Sequence, residues 1–264
     1  MLLRMLRAAL AKSPAPASVQ PREPARSAEV TFRNPHYLRH NARRQEHLAS
    51  LGLAIAGRTV LEVGAGVGDH TTFFLDRDCR VVSVEPRQEN CELFAATMAK
   101  HRKLGYAKAD NCTLVHGDVE SIADRVADRF DIVYCYGLLY HVEDPAAVLA
   151  ALAQRCGDLL LLETRVSAGH REEIHPVYED KASLSNTFHG MGCQPTRPWI
   201  FNRLQELFGH AYVPRTQPAH EEFPLDWTND FPAEQPVRAV FVASRRPLAN
   251  TLLLDHLPDR QTAC

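Results

Sequence analysis

A short apolar run, Thr59-Val-Leu-Glu-Val63, passes directly into three glycines separated by single residues, Gly64-Ala-Gly-Val-Gly68, and then into Asp-His-Thr-Thr72. An apolar run of this length bounded by glycines predicts a buried strand, and the glycines predict a tight turn before a helix start. Strand, glycine turn and helix in succession form the front edge of an α/β ligand site. The spacing narrows the choice of ligand. Dinucleotide sites favour G-x-G-x-x-G/A, whose third residue is small so that helix and strand pack closely. Here the third glycine comes early and Asp69 stands where that small residue would be, which disfavours a nicotinamide dehydrogenase. A glycine turn that serves packing alone stays open on this stretch by itself.

The rest of the chain continues the alternation. Arg80-Val-Val-Ser-Val-Glu-Pro86 reads as a second buried strand ending in an acid, followed by a helix over residues 89 to 103. Cys112 to Val119 holds a third strand with Gly117-Asp118 near its end, and Phe130 to Tyr136 is the fourth. Asp144 as N-cap with Pro145 at the first helical position opens a helix through Arg155. Gly157-Asp-Leu-Leu-Leu-Leu-Glu-Thr164 is continuous and apolar, as a strand covered on both faces should be. Beyond it come a helix, Trp199 to Phe208 closed by Gly209, a sixth strand, Ala211 to Thr216, and a seventh, Arg238 to Ser244. Residues 167–198 and 219–236 interrupt the pattern with histidines, aromatics and turn residues, and are expected to cap the substrate side. A further helix is expected from Asn34 to Leu53, ahead of the first strand. The expected fold is α/β, a doubly wound, seven-stranded, mostly parallel sheet with capping insertions after the fifth and sixth strands.

Glu62 two residues before the G-x-G-x-G turn, Glu85 closing the second strand, Gly117-Asp118, and Leu139-Tyr-His-Val-Glu-Asp-Pro145 after the fourth strand together resemble the class I S-adenosylmethionine-dependent methyltransferases. The resemblance covers about residues 57 to 245 and is strongest through the fourth strand. It implies a Rossmann-like methyltransferase fold, with the last strand antiparallel between the fifth and sixth, and S-adenosylmethionine as cofactor. It assigns Glu62, Gly64, Ala65 and Gly66 to the methionine half of the cofactor, and Glu85 with Pro86 to the ribose hydroxyls, where a carboxylate makes charge-assisted bonds. It assigns Asp118 and Val119 to adenine, and the backbone at Cys135 and Tyr136 to the cofactor's ammonium group. The loop around Leu139-Tyr140-His141 is also similar to that of a tRNA-uridine carboxymethyltransferase group. In many methyltransferases a helix ahead of the first strand folds over the pocket, which brings in Tyr37, His40 and Arg44. Tyr140, and from the capping loops His175, Arg197 and Trp227, complete the expected substrate contacts. His141 is the candidate general base, because an imidazole titrates near neutrality and the motif places it just past a strand end.

At 264 residues one substantial core is expected, over residues 29–264, with residues 1–28 as a disordered Pro- and Ala-rich tail. The net charge of −2 supplies no broad basic field, so a small-molecule substrate is expected and no nucleic acid. Seven scattered cysteines with no C-x-x-C pair suggest neither a disulfide framework nor a zinc site, so no metal is expected and the compartment is read as reducing and cytoplasmic. No apolar run approaches the ~20 residues that span a bilayer. The expected activity is O-methylation of a small molecule. The rivals are methylation or carboxymethylation of RNA, above all tRNA, and a regulatory protein that keeps the nucleotide pocket without turnover.

Overall fold

The computed structural model describes residues 27–179, 190–229, 231 and 236–264. Twelve strands occur among them: β1 Thr59–Val63, β2 Arg80–Glu85, β3 Cys112–His116, β4 Phe130–Tyr136, β5 Cys156–Arg165, β6 Ile174–Tyr178, β7 Met191–Pro195, β8 His210–Pro214, β9 Thr216–Gln217, β10 Arg238–Ser244, β11 Leu253–Leu254 and β12 Thr262–Ala263. The helices are α1 Ala28–Phe32, α2 Pro35–Ser50, α3 Thr71–Leu75, α4 Gln88–Lys103, α5 Ile122–Arg125, α6 Pro145–Arg155 and α7 Arg197–Phe208.

The central sheet runs β11-β8-β10-β5-β4-β1-β2-β3. Strands β3, β2, β1, β4 and β5 are mutually parallel, while β10 is antiparallel to both β5 and β8. The seven expected strands are present with the antiparallel one in its expected place, and the two-residue β11 adds an eighth at the edge. Side chains alternate across a strand, so each buried strand feeds two cores. Leu61, Val133, Leu160 and Leu162 pack on the face that carries α6 and α7, and Val60, Ile132, Leu159 and Leu161 pack on the face that carries α3 and α4.

Local chemistry fixes the helix ends. Asn34 Oδ1 accepts the Tyr37 amide ahead of Pro35 at the start of α2, and Asp144 accepts the Ala147 amide ahead of Pro145 at the start of α6. Thr196 caps α7, which stops at Gly209 in the left-handed region at φ 90°. The first insertion forms a hairpin, β6 against β7, which the sequence pattern did not indicate. The expected tail over 1–28 lies almost wholly outside the described residues; its last two, Ser27 and Ala28, cap and open α1. Among the described residues no helix is long and apolar enough to cross a membrane.

Candidate functional site

A cavity of about 300 Å³ opens beyond the carboxyl ends of β1, β2 and β4, where open parallel sheets take their ligands. The glycine turn forms one wall. Gly64 and Gly66 both have positive φ and both line it, and Gly66 donates its amide to Glu85 Oε2 at 2.9 Å. Gly68 plays a different part. A Cβ there would sit 2.7 Å from the Phe94 ring, so its bareness admits α4 against the turn rather than a ligand. Asp69, too large for the small-residue position of a dinucleotide site, pairs with Arg33 and accepts from Asn41 at 3.3 Å, tying α1 and α2 to the turn.

Glu85 lies in the same wall and is buried. Burial pushes its pKa up, against the pull of three donors: Gly66 N–H, Arg87 N–H at 3.1 Å and Asn90 Nδ2 at 2.9 Å. A carboxylate has about four acceptor sites, so one stays open and a second hydroxyl requires a donor to yield. Pro86, Asp118 and Val119 line the cavity as expected, joined by Arg87, Asn90 and Phe32, which the sequence did not single out. Glu62 is 1 % exposed and borders a small adjoining recess with Ala65, Tyr136 and Arg44. Its Oε2 accepts from Thr71 and Ser83, both at 2.6 Å, and burial pushes its pKa up to about 7.

Tyr37, His40 and Arg44 of α2 reach the cavity, as do Tyr136 at the end of β4 and Tyr140 and His141 after it. The Cys135 side chain does not: next to Tyr136 on a pleated strand, it points to the opposite face, into the core, where burial raises its thiol pKa to about 12. The role expected of Cys135 is a backbone one, on which the side chain's direction does not bear, and Gly137 and Leu138 line the cavity beyond it. His141 Nδ1 lies 2.6 Å from Glu179 Oε2. An ionised carboxylate only accepts, so the imidazole donates from Nδ1 and its Nε2 carries the lone pair. Burial lowers the His141 pKa and Glu179 opposes that shift.

The floor of this end is a buried chain of charges. Glu163, 0 % exposed, accepts from Arg44 at 2.8 Å and from Arg238 at 3.0 Å. Arg238 also donates to Glu222 and, at 3.0 Å, to the Tyr140 hydroxyl. Arg165, Arg238 and Glu222 line the cavity and were absent from the expected contacts, because a charge at a strand end, as for the two arginines, or in a loop, as for Glu222, reads from sequence as solvated.

Three expected contacts lie elsewhere. His175 is exposed on β6 beside Glu173, 3.5 Å away, because the hairpin turns its outer strand to solvent. Arg197 and Trp227 meet each other, guanidinium carbon 3.9 Å from the ring centre, at a separate cavity of about 380 Å³. Trp227 is held there by its Nε1–H bond to Gln261 at 2.7 Å, and Arg197 by the Pro258 carbonyl. His189 of the first insertion lies outside the described residues.

The residues fit an adenosylmethionine group by one test of their own. Asn90 Oδ1, Tyr136 Oη and Glu62 Oε1 are buried around the cavity and its recess with no hydrogen-bond partner among the described residues. Orphaned buried polar atoms of this kind are rare unless a ligand or water completes them.

Comparison with known proteins agrees with this geometry. Residues 60–157 match the family model described as a methyltransferase domain. A tRNA U34 carboxymethyltransferase of Alteromonas mediterranea is 34% identical over 149 residues, covering 55% of this chain and 44% of that enzyme. A ubiquinone biosynthesis O-methyltransferase of Psychrobacter arcticus is 32% identical over 106 residues, covering 40% of this chain and 39% of that one. The chain thus spans less than half the length of either relative. The N-terminal domain of EvdMO1, crystallised in the presence of SAH and D-fucose, shares the fold with a TM-score of 0.59 at 22% identity, over 78% of this chain and 83% of that one.

Proposed function

We propose that the chain, whose residues 60–157 match a methyltransferase domain, is a class I S-adenosylmethionine-dependent methyltransferase that transfers the cofactor's methyl group to an oxygen of a small molecule, with His141 as general base. The observation that carries this reading is His141, which lines the same cavity as Gly66 and Glu85 and is held by Glu179 at 2.6 Å. Bound at the glycine turn, the cofactor supplies an electrophilic methyl group on a sulfonium. Methyl transfer needs alignment and exclusion of water above all. Gly64 and Gly66 let the backbone come close, Glu85 and Asp118 orient the nucleoside, and α2 with Tyr140 covers the acceptor. His141 takes the hydroxyl proton on Nε2, and Glu179 holds the ring in the tautomer that can do so. A fall in the His141 pKa keeps the base neutral at ordinary pH.

Calorimetry tests the cofactor half: Glu85→Ala should weaken S-adenosylmethionine binding by about 1.5–3 kcal/mol, the range for hydrogen bonds to a charged group. His141→Ala should lower turnover by ~10²–10⁴ with cofactor affinity little changed. Equal rates in the two proteins would remove His141 from the role of base. A second reading, transfer to tRNA, draws on the 34% identity to a tRNA U34 carboxymethyltransferase. The net charge of −2 weighs against it. Binding of tRNA that weakens steeply with salt would favour that reading over the first.

A further inference from the structure

On the α2 side of Glu222 the cavity lip is built of imidazoles. His36 and His40 are four residues apart on α2 and so share a face. The ring of His220 lies 5.3 Å from that of His36 and 4.8 Å from that of His40. Glu221 Oε1 is 3.8 Å from His36 Nδ1 and 3.6 Å from His220 Nε2, and one ligand atom from each of these three residues lies within 4.8 Å of the other two. Four ligands around an ion with bonds of about 2.0–2.2 Å stand roughly 3.3–3.6 Å apart, so small side-chain rotations close the set.

Packing alone does not account for these rings. The His220 side chain is 0% exposed and that of His40 is 6% exposed, yet the Nε2 of each is buried with no hydrogen-bond partner among the described residues. Leaving such an atom unpaired is costly.

From this arrangement we infer that His36, His220 and Glu221 bind a divalent transition-metal ion at the lip of the cavity, with His40 as the candidate fourth ligand. Imidazole nitrogens with a carboxylate suit zinc, cobalt or nickel rather than magnesium or calcium, which prefer oxygen alone. Two present contacts would be given up. Arg39 now pairs with Glu221, but both side chains are about half exposed and such a pair contributes little in water. The Glu222 amide donates to His220 Nδ1 over a long 3.3 Å, and an ion on Nε2 would move the ring proton to Nδ1 and end that bond. His36, His40 and Glu222 line the cavity, so an oxygen of a bound molecule would complete the coordination from that side. The expectation of no metal rested on the cysteines; the signal lay in the i, i+4 histidines of α2 and in His220-Glu221.

The test is made on tag-free full-length protein, stripped with chelator and free of cofactor and acceptor, so its outcome is independent of the transfer reading. Titration with Co²⁺ should give one equivalent bound with ligand-field bands and no thiolate charge-transfer band, and Zn²⁺ should displace it. His36→Ala and Glu221→Gln change exposed side chains and should leave the fold intact. Each should weaken the ion at least about tenfold, the lower limit seen even for residues one shell away from a metal. No bound ion, unchanged affinity in both variants, or a thiolate band assigning the ion to cysteine would each overturn the inference.

Discussion

Arg165 and Arg238 stand directly opposite each other on the antiparallel strands β5 and β10, and the ring of Tyr140 lies 4.9 Å from each guanidinium carbon. Like charges in cross-strand register repel. Arg238 is compensated by Glu163 and Glu222, whereas Arg165 has no ion-pair partner among the described residues and its buried Nε no hydrogen-bond partner. The register therefore leaves in the cavity wall a cation that Glu222 attracts only at longer range, and its charge reaches His141.

Arg165→Met should consequently raise the His141 pKa. Burial lowers it most, Glu179 raises it, and Arg165 adds to the lowering. Removing that repulsion makes the protonated ring easier to form, so the acid limb of activity should move to higher pH. An NMR titration of the His141 ring reads this directly, and an unmoved midpoint would show that Arg165 contributes nothing to the shift.

The glycines of the turn should separate by function. Gly66→Ala meets nothing closer than Phe32 at 3.7 Å but must keep φ 56°, a cost of roughly 1–2 kcal/mol, so the protein should fold and lose cofactor affinity. Gly68→Ala places a Cβ 2.7 Å from Phe94 and should destabilise the fold by a further ~1–3 kcal/mol from overpacking. Denaturation and cofactor calorimetry on both variants check the division; equal stability losses would contradict it.

Glu62→Gln should stabilise the protein at neutral and higher pH. With the folded pKa at about 7 against 4.5 unfolded, the buried charge costs about 3 kcal/mol once ionised. That cost is complete above pH 7 and disappears as pH falls from 7 to 4.5, so the advantage of the glutamine should shrink over that window. Urea unfolding at several pH values measures it.

His47 runs in the opposite sense. Its Nε2 bonds the Thr216 carbonyl at 3.0 Å and burial lowers its pKa to about 4. The unfolded chain takes up a proton near pH 6.5 and the fold does not until about 4. Stability from this group is full above pH 6.5 and is lost toward pH 4, at about 1.4 kcal/mol per pH unit. His47→Gln should flatten the stability profile by one proton's worth of slope across that range.

The succession of strands and the glycine turn were legible because continuous apolar runs and residues without a Cβ leave direct marks in a sequence, whereas the place of the antiparallel strand and the role of Glu85 came from the family resemblance. The face a strand residue takes is less legible: Tyr136 reaches the cavity and Cys135 the core, one residue apart. Nothing periodic governs a loop, so the sequence grouped His175, Arg197 and Trp227 at a substrate side that the hairpin and the Gln261 contact divide. The Arg165–Arg238 pairing depends on register between strands separated by more than seventy residues, which local pattern does not encode.

The bond from Arg44 to Glu163 bears on how molecules exchange with the cavity. It anchors α2, the helix that carries His36, Tyr37 and His40, to an acid at 0% exposure. Swinging that helix outward would take Arg44 from Glu163 and leave Arg238 as that acid's remaining partner, at a cost of about 3 kcal/mol, the lower end for breaking a buried pair. A displaced helix would then exist less than one part in a hundred of the time, so α2 serves as a fixed wall rather than a door, and traffic in and out of the cavity must pass beside it.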